Sequence, residues 1–265
     1  MRGARAVAFF GALLAASCGA PLMKLPSGPG VPSPDGATLL AQATAACAKV
    51  STISAEVGVS GSVNGRRVRG RLLAGLAAPD SLYMEAPAPF GAPLFVLGAA
   101  KGDATLLLPR DRRVLQHGRP GEVLEAVTGV SLDPADLRST LSGCGGLSQE
   151  PARSETRAFG DDWRVIDGEA ATYLRRQEKS GPWRLVAVVR SGADGWRADY
   201  SNFTSDLPRS IRLISNDRHR FDLRLELSQV DVNVELDPST FRVTVPPGTQ
   251  PMTLEELRAG GPLSQ

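Results

Sequence analysis

Apolar residues recur along the chain with two periods, and the change from one to the other lays out its elements. Over residues 37–49, Leu39, Leu40, Ala43, Ala46 and Cys47 return at helical spacing behind Asp35 and Thr38, which predicts an amphipathic helix. The period then drops to two. Ile53, Ala55, Val57, Val59, Gly61 and Val63 alternate with polar or small residues, as in a strand covered on one face. Asn64-Gly65 reads as a hairpin turn, and Val68, Gly70, Leu72, Ala74 and Leu76 carry the alternation back along a return strand. Further strands are expected at residues 81–86, 94–99, 104–108 and 113–117. Pro120, Val123, Leu124 and Val127 then suggest a short helix stopped by Gly129, and Asp133-Pro134 opens another over residues 135–142, closed by Gly143. After Arg153 the pattern is strand upon strand, at residues 164–166, 172–177, 183–190, 196–203, 210–214, 219–227 and 230–236. Nothing alternates strand with helix, so doubly wound and TIM-barrel folds are disfavoured. The expected fold class is mainly β with a few helices, a strongly curved antiparallel sheet or half-open barrel whose open face the helices cover.

The amino terminus reads as an export signal. Arg2 and Arg5 precede an apolar core over residues 6–16 that is too short to span a bilayer. Leu14-Ala15-Ala16-Ser17-Cys18-Gly19 resembles a bacterial lipobox, with Ala15 where leucine is commonest, so Cys18 is the expected lipidation site and residues 1–17 the signal peptide. Pro- and Gly-rich residues 18–36 have the composition of a tether. Residues 37–257 then form a single domain and 258–265 a C-terminal tail; Leu254 and Leu257, at i and i+3, suit a short packing helix or a flexible end. With Cys18 acylated, Cys47 and Cys144 remain as a pair in an oxidising compartment, where a disulfide between them is favoured over two buried thiols.

Composition narrows the function. The 30 basic and 28 acidic residues are spread along the chain, the net charge is +2, and no basic run is interleaved with aromatics, so nucleic acid is a poor partner. His117 and His219 lie far apart, Ser60-Gly61 and Ser142-Gly143 have no nucleophile elbow around them, and Asp161-Asp162 reads as a solvated turn. Neither a phosphate-cradling loop nor a dinucleotide fingerprint is present. The expectation is a non-catalytic protein with no metal site and no cofactor. One segment stands out, Ala86-Pro87-Ala88-Pro89-Phe90-Gly91-Ala92-Pro93. Its prolines cannot donate to a sheet, so it reads as a stiff loop with Phe90 either exposed for insertion into an apolar phase or folded back onto the rim.

These features together resemble the LolA/LolB superfamily of bacterial lipoprotein-handling proteins. The resemblance rests on the opening helix and strand, on Pro89-Phe90-Gly91, on the helical stretch within residues 113–146, and on the closing Leu236-Asp237-Pro238 with Phe241 and Val245-Pro246. It implies a half-open barrel with a helical lid over an apolar cavity. It also implies a loop at Pro89, Phe90 and Gly91 that inserts into membranes, with Phe90 where the LolB branch exposes a leucine. Strand alternation then offers Val57, Val59, Leu72, Leu106, Val186, Val188, Leu213, Leu223, Leu225 and Val234 as cavity lining, with Leu124, Val127, Leu137 and Leu141 as the underside of the lid; ordinary barrel core is the competing reading for each. The partners so implied are lipoprotein acyl chains or lipids, the membrane through the lipid anchor, and a periplasmic carrier protein, for a monomer at the outer membrane facing the periplasm. The alternative use of the same fold is a protein-binding envelope adaptor or an RseB-like stress sensor.

Overall fold

The computed structural model describes residues 22–147 and 155–260. Its strands are β1 (Val31–Pro32), β2 (Thr52–Val63), β3 (Arg66–Ala77), β4 (Ser81–Ala86), β5 (Phe95–Ala100), β6 (Asp103–Leu108), β7 (Arg113–Gly118), β8 (Thr156–Phe159), β9 (Trp163–Ile166), β10 (Ala170–Arg176), β11 (Trp183–Arg190), β12 (Trp196–Ser201), β13 (Ser210–Ser215), β14 (Phe221–Val232) and β15 (Gln250–Pro251). Four helices accompany them: α1 (Gly36–Thr44), α2 (Pro120–Thr128), α3 (Pro134–Ser142) and α4 (Leu254–Gly260). The strands form one sheet in the order β1-β8-β9-β10-β11-β12-β13-β14-β2-β3-β4-β5-β6-β7-β15. β1 and β15 occupy its two ends, so the sheet curls without closing, and the half-open barrel expected from the sequence is the observed architecture.

The hairpin at the centre follows from its turn. Asn64 and Gly65 both take positive φ, 49° and 72°, which matches the twist of the flanking strands and sets a register running from Val63 opposite Arg66 to Thr52 opposite Ala77. Only the second half of β3 meets β4, from Leu73 opposite Glu85 to Ala77 opposite Ser81. Residues 66–72 therefore form an open edge of the sheet, with β2 as their one strand partner among the described residues.

Both lid helices start and stop where their sequence says. α2 begins on Pro120 and ends at Gly129, whose φ of 73° no β-carbon opposes; Asp133 accepts a hydrogen bond from the Asp136 N–H to open α3, and Gly143 closes it at φ 92°. Apolar faces direct the packing. Val123, Leu124 and Val127 of α2 and Leu137 and Leu141 of α3 are buried, while α1 packs over β9–β11. The core runs continuously from Leu82, Phe95, Leu97 and Leu106 at one end to Leu174, Val188 and Tyr200 at the other. No helix among the described residues is long and apolar enough to cross a membrane.

At three places the structure differs in detail from the sequence reading. Residues 22–36, expected as part of a tether, are laid against the sheet: Met23 N–H donates to Asp199, Arg197 donates to Met23 O, Arg157 donates to Gly28 O, and β1 pairs with β8. A proline-bearing extended segment suits this place, because an edge strand leaves one row of amides unpaired in any case. Asp35 then ties the stem to β9 through Arg164; burial pulls its carboxyl up, but Ser33 and Arg164 outweigh that and hold it below the ordinary value. The two strands expected at 219–227 and 230–236 are one, β14, irregular near Ser228 and Asp231 where Gln229 takes φ 49°. Residues 258–260, counted with the expected tail, complete α4. The expected lipidation site, Cys18, lies outside the described residues.

Candidate functional site

Beneath the lid lies a cavity of about 70 Å³. One wall is the central sheet, with Val57, Val59, Val63, Val68, Leu72, Ala74 and Met84 from β2–β4 and Leu213, Leu223 and Leu225 from β13 and β14. Leu124, Thr128, Val130, Leu132, Leu137 and Leu141, from α2, α3 and the turn between them, form the roof. Thr128 brings the only hydroxyl to this lining, and it is already satisfied, donating to Leu124 O at 2.8 Å and accepting from the Val130 N–H at 3.2 Å. No polar side chain is left to orient a guest. What the space can do is trade van der Waals and hydrophobic contacts, at about 0.8 kcal/mol per methylene buried. Its volume admits a few methylene groups, so a longer chain enters only as the roof leucines give way.

Six of the ten lining positions expected from the sequence meet here: Val57, Val59, Leu72, Leu213, Leu223 and Leu225. Three lid positions, Leu124, Leu137 and Leu141, join them. Leu106 and Val188 are buried in the core away from the cavity. Val186 also lies away from it and, in addition, out of step with the core: Tyr173 pairs with Ala187 and Leu174 with Leu185, an irregularity that leaves Val186 outside the core cluster. Val234 lies past the end of β14 and is 40% exposed. Val127 is buried but lines a neighbouring hollow.

The two lid helices are held by different means. Cys47, in the 3-10 turn after α1, and Cys144, just beyond α3, are joined in a disulfide with Cα atoms 5.8 Å apart, which staples α3 to α1. α2 is held by packing, against β6 and against α4. α4 is seated by a reciprocal cap in which Thr253 N–H donates to Glu256 and Glu256 N–H donates to the Thr253 hydroxyl, and by Arg113, 2.9 Å from the Glu256 carboxylate. Leu257 is its buried anchor. The Thr253 amide and the Arg113 guanidinium hold the Glu256 carboxyl below its ordinary value of 4.5. A depressed folded value stabilises the seated helix above the unfolded value and ceases to do so as pH falls through the folded one. Amide exchange at Leu257 should therefore quicken relative to the sheet below that range, and Glu256→Gln should show the faster exchange already at neutral pH. Equal protection of Leu257 in both proteins would remove this cap as the element that seats α4.

At the far end of the β4–β5 connection, Phe90 is 89% exposed. The Arg110 guanidinium donates to Phe90 O and Ala92 O at 3.2 and 3.1 Å, bracing the backbone of Pro89, Phe90 and Gly91 while leaving the ring in solvent. The short packing helix that Leu254 and Leu257 suit is α4, and Thr253 with Glu256 at cap spacing was the signal that decides for it over a flexible end. Sequence reading missed Arg66, Arg67, Arg69 and Arg71, a local basic cluster hidden by a nearly balanced total charge.

No family model matches the chain, and no curated protein does. Similarity is found among solved structures. A LolA superfamily protein of Nitrosomonas europaea is similar over 78% of this chain and 97% of its own, at 11% identity and a TM-score of 0.47. A domain of a putative outer membrane lipoprotein-sorting protein from Vibrio parahaemolyticus matches over 72% and 88%, at 14% identity and a TM-score of 0.43. The Mycobacterium tuberculosis lipoprotein LppX matches over 77% and 100%, at 13% identity and a TM-score of 0.33.

Proposed function

We propose that this chain is a non-catalytic, lipid-anchored lipoprotein of the bacterial envelope that takes acyl chains of lipoproteins or lipids under its lid and aids their localisation to the outer membrane. The observation that carries the reading is the cavity, whose lining of fifteen apolar residues and one internally satisfied threonine suits hydrocarbon. Roof leucines occupy the place of a guest, and opening exchanges their contacts for those of the chain that enters, so uptake and release stay close to balance. The Cys47–Cys144 bond fits an exported protein, because disulfides persist in oxidising compartments. Cys18 is the proposed anchor, and the braced, exposed Phe90 the proposed point of membrane insertion.

The test is binding of a fluorescent palmitoylated peptide to the purified chain. Saturable binding displaced by palmitate is expected. Val59→Trp, which fills the cavity from the sheet side, should weaken it at least about tenfold, a loss of roughly 1.4 kcal/mol. No saturable binding, or wild-type affinity in Val59→Trp, would overturn the reading. The second reading, an adaptor or stress sensor that binds protein, draws on the first half of β3, since residues 66–72 leave one edge of backbone groups open to strand addition.

A further inference from the structure

The apolar cavity is not blind. Val63, Val68 and Thr128 line it and also line a larger hollow of about 560 Å³ at the tip of the β2–β3 hairpin. There the chemistry changes. Arg66, Arg220 and Arg258 border this hollow with a single carboxylate, Glu125. The three guanidinium groups come from separate parts of the chain: the start of β3, the turn before β14, and α4. Arg66 shares its face of β3 with Val68 and Leu72, both of which line the cavity, so the step from apolar wall to cation is taken along one strand.

Their charges are unevenly met. Arg220 donates to Asp194 at 2.6 Å, and Arg258 forms a long ion pair with Glu125 at 4.0 Å. Arg66 is exposed, and no hydrogen bond or ion pair of its side chain is found among the described residues. Three guanidinium groups meet two carboxylates, Glu125 on the rim and Asp194 beyond it, so one positive charge, that of Arg66, is left for a counter-charge that enters. Guanidinium groups present paired N–H donors that match the oxygens of a phosphate. An amphiphile entering by this route would leave its polar end among these arginines as its chain passed Val63 and Val68.

We infer that the hollow is a headgroup site: it takes the phosphate of an anionic lipid whose acyl chain lies in the apolar cavity. The inference rests on the acyl-binding reading of that cavity and adds the class of cargo. Bound there, a phosphate would also face Arg258 on α4, so cargo would act on the helix that packs against α2.

The experiment compares three probes on the full chain below their micellar concentrations: palmitoyl-lysophosphatidic acid, monopalmitoylglycerol with the same chain and no phosphate, and glycerol 3-phosphate with no chain. The phosphate-bearing lipid should bind about tenfold or more tighter than the neutral one, an advantage that shrinks as salt screens it. In Arg66→Ala/Arg258→Ala the advantage should fall below about threefold, while monopalmitoylglycerol binds as in the wild type. Equal binding of the two lipids, or an advantage that survives the double substitution, overturns the headgroup site and leaves the cavity reading intact. Failure of both lipids to bind overturns the cavity reading, and this inference with it. Glycerol 3-phosphate bound as tightly as the lipid would make the hollow a site for free phosphate, which also overturns it.

Discussion

Replacing Cys47 with Ser lowers the stability of the oxidised protein by about 3–4 kcal/mol. The bond closes a loop of 97 residues, near the length at which chain entropy alone gives about 4.7 kcal/mol, and some of that is offset by structure retained in the unfolded chain. Cys47 is a buried member of the core, so the serine adds a hydroxyl in an apolar setting as well as removing a crosslink. Denaturant unfolding with and without reductant separates the two. Wild type should lose most of this stability on reduction, and Cys47→Ser should be insensitive to reductant. Identical midpoints for oxidised and reduced wild type would show that the bond carries none of the stability.

The bond also decides which part of the lid is free to move. α3 is tied covalently to α1 through Cys144, whereas α2 leans on β6 and α4 without a crosslink. The leucine that α2 brings to the roof, Leu124, is therefore the one most readily withdrawn. Reduction should loosen α3 as well, so that amide protection falls at Leu137 and Leu141 while the sheet keeps its own. A protein whose lid protection did not change on reduction would place the restraint in packing and not in the bond.

How much of this was legible in the sequence depended on how local the signal was. Turns and caps are written in a few adjacent residues: Asn64-Gly65, Gly129, Asp133 with Pro134, and Gly143 each do in the structure what their chemistry dictates. Alternation placed the face of β2, β3, β13 and β14, and so brought Val57, Val59, Leu72, Leu213, Leu223 and Leu225 to one cavity. It failed for Leu106 and Val188, which face the core as expected but away from the cavity, and again where the period itself is broken. One extra residue in β11 displaces Val186, and nothing in Trp183–Arg190 marks it, because the run is apolar on both faces. Residues 22–36 misled for another reason. Pro and Gly content describes the free chain, while docking depends on Arg157, Arg164 and Arg197, more than a hundred residues away, which meet Gly28, Asp35 and Met23 only after the sheet has formed. The cationic hollow is equally non-local, assembled from Arg66, Arg220 and Arg258.

With Phe90 as the proposed point of insertion, Phe90→Glu is expected to slow delivery to membranes while leaving the fold untouched. A side chain that is 89% exposed contributes little to the core, so its replacement should move stability by no more than about 0.5 kcal/mol. At a membrane the balance reverses. Burying a phenylalanine side chain in an apolar phase is worth about 1.5–3 kcal/mol, and a glutamate forfeits this and adds the cost of desolvating a charge. Transfer of a fluorescent palmitoylated peptide from the protein to phospholipid vesicles should slow by about tenfold or more, since each 1.4 kcal/mol is a factor of ten. Phe90→Leu should keep most of the wild-type rate, because leucine retains comparable apolar area. Arg110→Ala supplies the complementary measurement. It keeps the ring and removes the two hydrogen bonds that hold the loop backbone, so a partial loss of transfer would show that the brace matters as well as the hydrophobe. Wild-type transfer by Phe90→Glu, with peptide binding intact, would remove this loop from the delivery step and turn attention to the Arg66–Arg71 cluster as the surface that meets the bilayer.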